Sequence, residues 1–233
     1  MLRRYFAHSR MLSVSLILIL PLFILYEVGL FIVGMDVMNG ADLVTRNAHR
    51  LLGDRGFLIS MGFLLGISCA GAFWLHRKHR LQWNYFAPLL AETTTYGFTM
   101  GFLIVFILGE VGLAGPSDGH GTFRNIVLSA GAGLFEELFF RLALFTAMLW
   151  LWKRYLPNKR KWLTQSVIIL LTSLIFSFAH FSGSPWTSYR FVYLTFAGLI
   201  FGVLYTTRGL AVAVYTHTLY DIWVLEVNPL LPW

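Results

Sequence analysis

The chain has 233 residues, 57% of them hydrophobic, 17% aromatic and 12% charged. Soluble globular chains are about one quarter charged, so this deficit, with a mean hydropathy of +0.67, excludes a soluble domain and places the chain in the membrane class. The net charge of +7 does not mark a nucleic-acid binder, because the basic residues fall in short clusters between apolar runs, as membrane topology requires.

A membrane span needs about 20 mostly apolar residues, and seven stretches qualify: 11–33, 56–75, 94–114, 125–152, 162–181, 190–207 and 209–226. The first has the charged start of a signal peptide, but its apolar run continues to Val33 without a small-residue cleavage site, which predicts a retained helix. The next segment, "GMDVMNGADLVTRNAHRLLGDR" at 34–55, is mixed in charge and predicts a surface helix on the outer face. The single cysteine excludes an intrachain disulfide framework, and Cys69, inside "LLGISCAGAF", predicts a small buried side chain rather than a nucleophile. The third span has an interfacial lead-in, "WNYFAPLLAETTTYG", where Pro88 and Glu92 blur its start. The fourth is long enough to tilt.

The connections carry the charge. Arg3, Arg4, Arg10, Arg77, Lys78, Arg80, Lys153, Arg154, Lys159, Arg160, Lys161 and Arg208 all fall on one side if the spans alternate. Arg46, Arg50, Arg55, Arg124 and Arg190 fall on the other. Positive residues stay inside, so the expected N-terminus is cytoplasmic and the expected C-terminus lies outside, in a bacterial cytoplasmic membrane. The fold expected is all-α: one polytopic membrane helix bundle over 1–233 with about seven transmembrane helices. Residues 1–124 would form variable N-terminal helices and 125–225 a core in the last four spans.

Ionisable groups inside spans are expensive and mark function by default. They are Glu27, Glu110, Glu136, Glu137, Arg141, His180, His217 and Asp221, with Glu226 reaching the interface. Glu27 and Glu110 stand alone in their spans and predict structural or cavity-edge roles. In "GAGLFEELFFRLALF", Glu137 and Arg141 are four apart on one helical face in the favoured order for an ion pair. Glu136 is turned 100° away and has no partner on its own helix. His8, His49, His76, His79 and His120 lie in loops or at span ends and predict solvated side chains. His180 follows Phe176 by one turn, and His217 precedes Asp221 by one turn. A lone membrane histidine is more often a packing donor, but two of them with an unpaired glutamate on three helices point to chemistry.

That set supports hydrolysis in two ways. A carboxylate can act as general base on water while imidazoles position it and stabilise the oxyanion. Alternatively Glu136, His180, His217 and Asp221 can bind a divalent metal such as zinc that activates the water. The residues do not decide between these. Ser173 and Ser177 precede His180 on its own helix, where hydroxyls more often bond back to a helix carbonyl. A proton-coupled transporter could use the same Glu/His/Asp cluster, but there is no internal repeat of the kind many transporters show. A non-catalytic scaffold is the third reading.

Glu136-Glu137-x-x-x-Arg141, Phe176-x-x-x-His180 and His217-x-x-x-Asp221, in that order and each in its own span, resemble the CPBP family: the CAAX-protease and bacteriocin-processing, or abortive-infection, enzymes. The Gly-rich aromatic stretch "FAGLIFGVLYTTRGL" before the last motif fits as well. The resemblance covers about residues 125–225. It implies a glutamate-type intramembrane endopeptidase with no cofactor, acting on a membrane-anchored protein or peptide. Glu136 would activate the water, His180 would assist, and His217 with Asp221 would hold the oxyanion, while Glu137, Arg141 and Phe176 support them. Prenyl-protein members usually carry asparagine at the last position; with Asp221 here, the expected role is to orient His217. Glu136 precedes Lys153 by 17 residues, roughly 25 Å of helix, so the expected site lies in the outer half of the membrane. Substrate identity and oligomeric state are not encoded in these motifs.

Overall fold

The computed structural model describes residues 2–35, 38–78, 83–108, 121–156, 160–181 and 185–227. Every regular element among them is helical. Helix α1 (Leu2–Ser9) leads into α2 (Leu12–Leu18) and α3 (Leu20–Val33). The break between these two falls beside Pro21, whose missing N–H suits the first turn of a new helix. Helix α4 (Leu43–Arg77) bends at Gly53, where φ is +63°, a conformation that L side chains rarely adopt. The surface helix expected within 34–55 is therefore the first part of α4, and the second span continues it beyond the bend.

Helix α5 (Phe86–Leu108) follows a 3₁₀ turn at Trp83–Tyr85. The third span thus starts earlier than position 94, because Pro88 sits in the first turn, where no intrahelical bond is lost. Helix α6 (Thr122–Gly131) runs without interruption through two π-helical segments, Ala132–Glu136 and Leu138–Phe145, into α7 (Thr146–Tyr155). Helices α8 (Lys161–Ala179), α9 (Ser188–Arg208) and α10 (Leu210–Ile222) complete the bundle, with a π-helical end at Trp223–Val227.

Among the described residues, five stretches are long and apolar enough to cross a membrane: Leu12–Val33, Arg55–Leu75, Trp83–Ile107, Lys161–Ala179 and Ser188–Arg208. The chain is an integral membrane protein with an all-α, polytopic bundle. The two remaining stretches expected as spans, 125–152 and 209–226, are also helical. Their wide turns and their polar groups at 136, 137, 141, 217 and 221 set them apart from the apolar five.

Helix α10 lies at the centre, packed against α2, α5, α6, α9 and the Ala132–Glu136 segment. Ten of its thirteen residues are buried, as suits a helix that is apolar all round in "LAVAVY". It meets the π-helical run closely at Gly133. A Cβ there would lie 2.2 Å from Thr218 Oγ1 and 2.7 Å from the Thr218 backbone nitrogen. Only a residue without a side chain lets these two helices touch.

Some expectations change. Cys69 is exposed, not buried, because α4 packs little against the rest of the bundle. His8 is buried and packs at a tilt against Tyr85 with ring centroids 5.2 Å apart, so it is not a solvated loop residue. His49 lies edge-on to Phe57. Glu110, His79 and His120 fall outside the described residues. At the α1 end, Glu92 chelates the Arg208 guanidinium, with Nε–Oε1 at 2.6 Å and Nη2–Oε2 at 2.7 Å. Tyr5 donates to the same carboxylate, Arg208 Nη1 donates to Ser9 Oγ, and the guanidinium lies 3.9 Å from the centre of the Phe6 ring. Glu92, which blurred a span boundary in the sequence, thus ties α1, α5 and α9 together.

Candidate active site

Three parts of the bundle supply the site. The π-helical run carries Glu136, Glu137 and Arg141. π turns bond each residue five positions back and widen the helix, and they are frequent at functional sites. The end of α8 carries Phe176 and His180, and α10 carries His217 and Asp221.

The Glu137–Arg141 ion pair forms within its own helical run, with Arg141 Nη1 3.1 Å from Glu137 Oε1 and both side chains almost fully buried. The wide turn does not break the i,i+4 relation. Arg141 Nη2 donates to the Gly198 carbonyl at 3.2 Å. Its guanidinium also faces the rings of Phe176, at 4.8 Å, and Phe201, at 5.5 Å. Pairing, a carbonyl and aromatic faces together lower the cost of a charge at this depth. Phe176 touches the His180 ring as well, with centroids 4.5 Å apart.

Both histidines are anchored the same way. His180 Nδ1 donates to the Phe176 carbonyl at 2.8 Å, and His217 Nδ1 donates to Glu137 Oε1 at 2.8 Å. A bond at one ring nitrogen fixes which nitrogen is presented to the other side. In each case it is Nε2, and both face Glu136 Oε2: His180 at 3.5 Å and His217 at 3.9 Å. Asp221 Oδ2 lies 3.6 Å from His217 Nε2. Glu137 thus holds the Nδ1 side of His217, and Asp221 stands beside Nε2 on the cavity side of the ring. Phe201 stacks on the other face of His217 at 4.2 Å.

Glu136, His180, His217 and Asp221 line a single cavity of about 520 Å³, walled by Phe176, Tyr193, Tyr220 and neighbouring side chains of α9 and α10. Tyr193 and Tyr220 bond to each other through their hydroxyls. Among the described residues, no three His, Cys, Asp or Glu side chains are grouped closely enough to hold one metal ion. Ser173 bonds back to the Ile169 carbonyl at 2.7 Å, as its helical position predicts. Ser177 instead reaches the Phe191 carbonyl of α9 at 2.9 Å.

One contact has no counterpart in the sequence reading. Asn39, in the connection between α3 and α4, donates from Nδ2 to Glu136 Oε1 at 3.0 Å. Nearby, Glu27 does have a structural setting: it is buried and accepts a bond from Thr45 Oγ1 at 2.8 Å. Glu226 accepts from Asn125 Nδ2 at 2.7 Å.

No curated protein and no solved structure matches the chain. A family model does match, over residues 119–223. Those residues include all seven positions of the three motifs and every helix that supplies them. Residues 119–223 match the family described as "Type II CAAX prenyl endopeptidase Rce1-like", in agreement with the resemblance that the motifs carry.

Proposed function

We propose that the chain is an intramembrane endopeptidase that hydrolyses a peptide bond in a membrane-anchored protein or peptide. The observation that carries this reading is the convergence of two anchored imidazoles on one oxygen of Glu136, inside a cavity walled by helices. Glu136 takes a proton from water as the water oxygen bonds to the scissile carbonyl carbon. His180 holds that water from the other side through Nε2. The oxyanion that forms accepts a hydrogen bond from the Nε2–H of His217 in its doubly protonated form, whose Nδ1–H is held by Glu137. Collapse of the tetrahedral intermediate breaks the C–N bond, and the proton held on Glu136 passes to the leaving amine. Asp221 completes the polar wall beside His217.

The charge asymmetry of the connections supports a cytoplasmic N-terminus and an external C-terminus, with the site in the outer half of a bacterial cytoplasmic membrane. The whole chain then acts as one membrane domain, and its substrates are anchored or leader segments of exported proteins.

The test is a comparison of the N- and C-termini of membrane proteins in cells carrying the wild type or Glu136→Gln. Termini present only with the wild type identify the substrate and the cleavage position. Cleavage of that substrate by purified protein should fall by about 10³-fold or more in Glu136→Gln, in line with the loss of a general base. Near-normal proteolysis by Glu136→Gln would remove the general-base role.

A further inference from the structure

We infer that Asn39 is a positioning residue for Glu136: the α3–α4 connection fixes the carboxylate so that Oε1 is held and Oε2 is presented to the two histidines. The inference rests on the endopeptidase reading for its consequence in catalysis, but the contact itself does not.

The orientation of the Asn39 amide is set by its surroundings. Its Oδ1 accepts the backbone N–H of Ala41 at 2.8 Å, so the opposite end of the amide, Nδ2, is the one that faces Glu136. Its backbone N–H is bonded to the Tyr26 hydroxyl at 3.1 Å. Its carbonyl accepts the Asp42 N–H at 3.1 Å and Arg46 Nη2 at 3.2 Å. The side chain and both backbone groups of Asn39 are therefore committed. The loop under it is equally fixed, because Asp42 Oδ1 accepts the Thr45 N–H at 2.9 Å, and Thr45 bonds on to Glu27. Tyr26, which holds Asn39, also packs on Phe135, the neighbour of Glu136, with ring centroids 5.3 Å apart.

The carboxylate is divided as a result. One oxygen is occupied by a neutral donor, while the other meets His180 and His217 at 3.5 and 3.9 Å. A donor on Oε1 removes the rotation that would exchange the two oxygens. Asn39 lies 80 residues before the matched family segment begins at 119, so part of the site's precision comes from outside that segment.

Asn39→Asp separates this role from a structural one. Aspartate keeps the oxygen that accepts from Ala41, and so keeps the turn, but it places an anion instead of a donor against Glu136. Two measurements on the purified full chain decide the matter. First, Asn39→Asp should lower the midpoint of thermal unfolding, and adding Glu136→Gln should restore most of the loss, because an amide opposite the new carboxylate can donate to it. This coupling needs no substrate. Second, on the substrate identified by its termini, Asn39→Asp should reduce kcat about 10²-fold with KM nearly unchanged, whereas Asn39→Ser, which retains a hydroxyl donor, should recover part of it. Additive shifts in the unfolding midpoint, or wild-type kcat in Asn39→Asp, would overturn the inference. If the wild type cleaves nothing while the coupling is present, the endopeptidase reading fails and the positioning contact stands.

Discussion

Glu137 serves two partners with one oxygen: Oε1 meets Arg141 at 3.1 Å and His217 at 2.8 Å. Removing the guanidinium by Arg141→Ala strands a buried carboxylate, a loss of about 3–5 kcal/mol for a buried pair, and should show as a large drop in the thermal unfolding midpoint in detergent. Glu137→Gln is the subtler change. It keeps the shape but weakens the hold on His217, and kcat on the identified substrate should fall about 10²-fold. Asp221→Asn should be mild, within about tenfold of wild type, because Asp221 does not anchor the ring and asparagine adds a donor on the cavity side. Wild-type kcat in Glu137→Gln together with an inactive Asp221→Asn would assign the orienting role to Asp221 after all. The pairs within one helical run were legible because helical spacing encodes them: Glu137 with Arg141, Phe176 with His180, His217 with Asp221. The contacts that organise the site across helices were not. Glu137 and His217 are 80 residues apart, and Asn39 and Glu136 are 97 apart; no periodicity links such positions, only the packing of the bundle does.

Among the elements, the π-helical run and α10 depend on each other through Gly133. A methyl group at that position meets Thr218 backbone as well as its hydroxyl, so no rotamer change on α10 can relieve it. Gly133→Ala should therefore separate the helices, at a cost of about 1–3 kcal/mol for overpacking. It should also lower kcat, because Thr218 is the next residue after His217. A variant with an unchanged unfolding midpoint and full activity would show that the contact is not needed. The stretch was readable as a helix from its composition. Its π character was not, since sequence reading assumes regular turns of 100° per residue. The exposed Cys69 departs from expectation for a related reason: an apolar run shows that a helix is in the membrane, not which face meets lipid and which meets protein.

At the scale of the whole molecule, the bundle is closed at the α1 end by Glu92 and Arg208, with Tyr5 and Ser9 completing the bonds. Glu92→Ala leaves Arg208 without its counter-ion and should cost about 3 kcal/mol, measured as a lower unfolding midpoint that added salt does not mimic in the wild type. The same end carries a pH dependence. Burial holds the His8 imidazole below its ordinary value of 6.5, while the unfolded chain takes up that proton near 6.5. The folded state should therefore lose stability as the pH falls below about 6.5, with no contribution from this group above it. His8→Phe should flatten that part of the stability curve; an unchanged curve would assign the loss to another group.

The central place of α10 has a consequence for how the molecule is made. Helix α10 follows in the chain α2, α5, α6, α9 and the Ala132–Glu136 segment, against which it packs, so it is synthesised after all of these. With ten of its thirteen residues buried by protein, it has little surface of its own to offer lipid and must enter a slot that the earlier helices have already lined. His217 and Asp221 arrive with it. Until then Glu136 has no second imidazole and Glu137 has no ring to orient, so the unfinished chain holds the polar groups of the site apart.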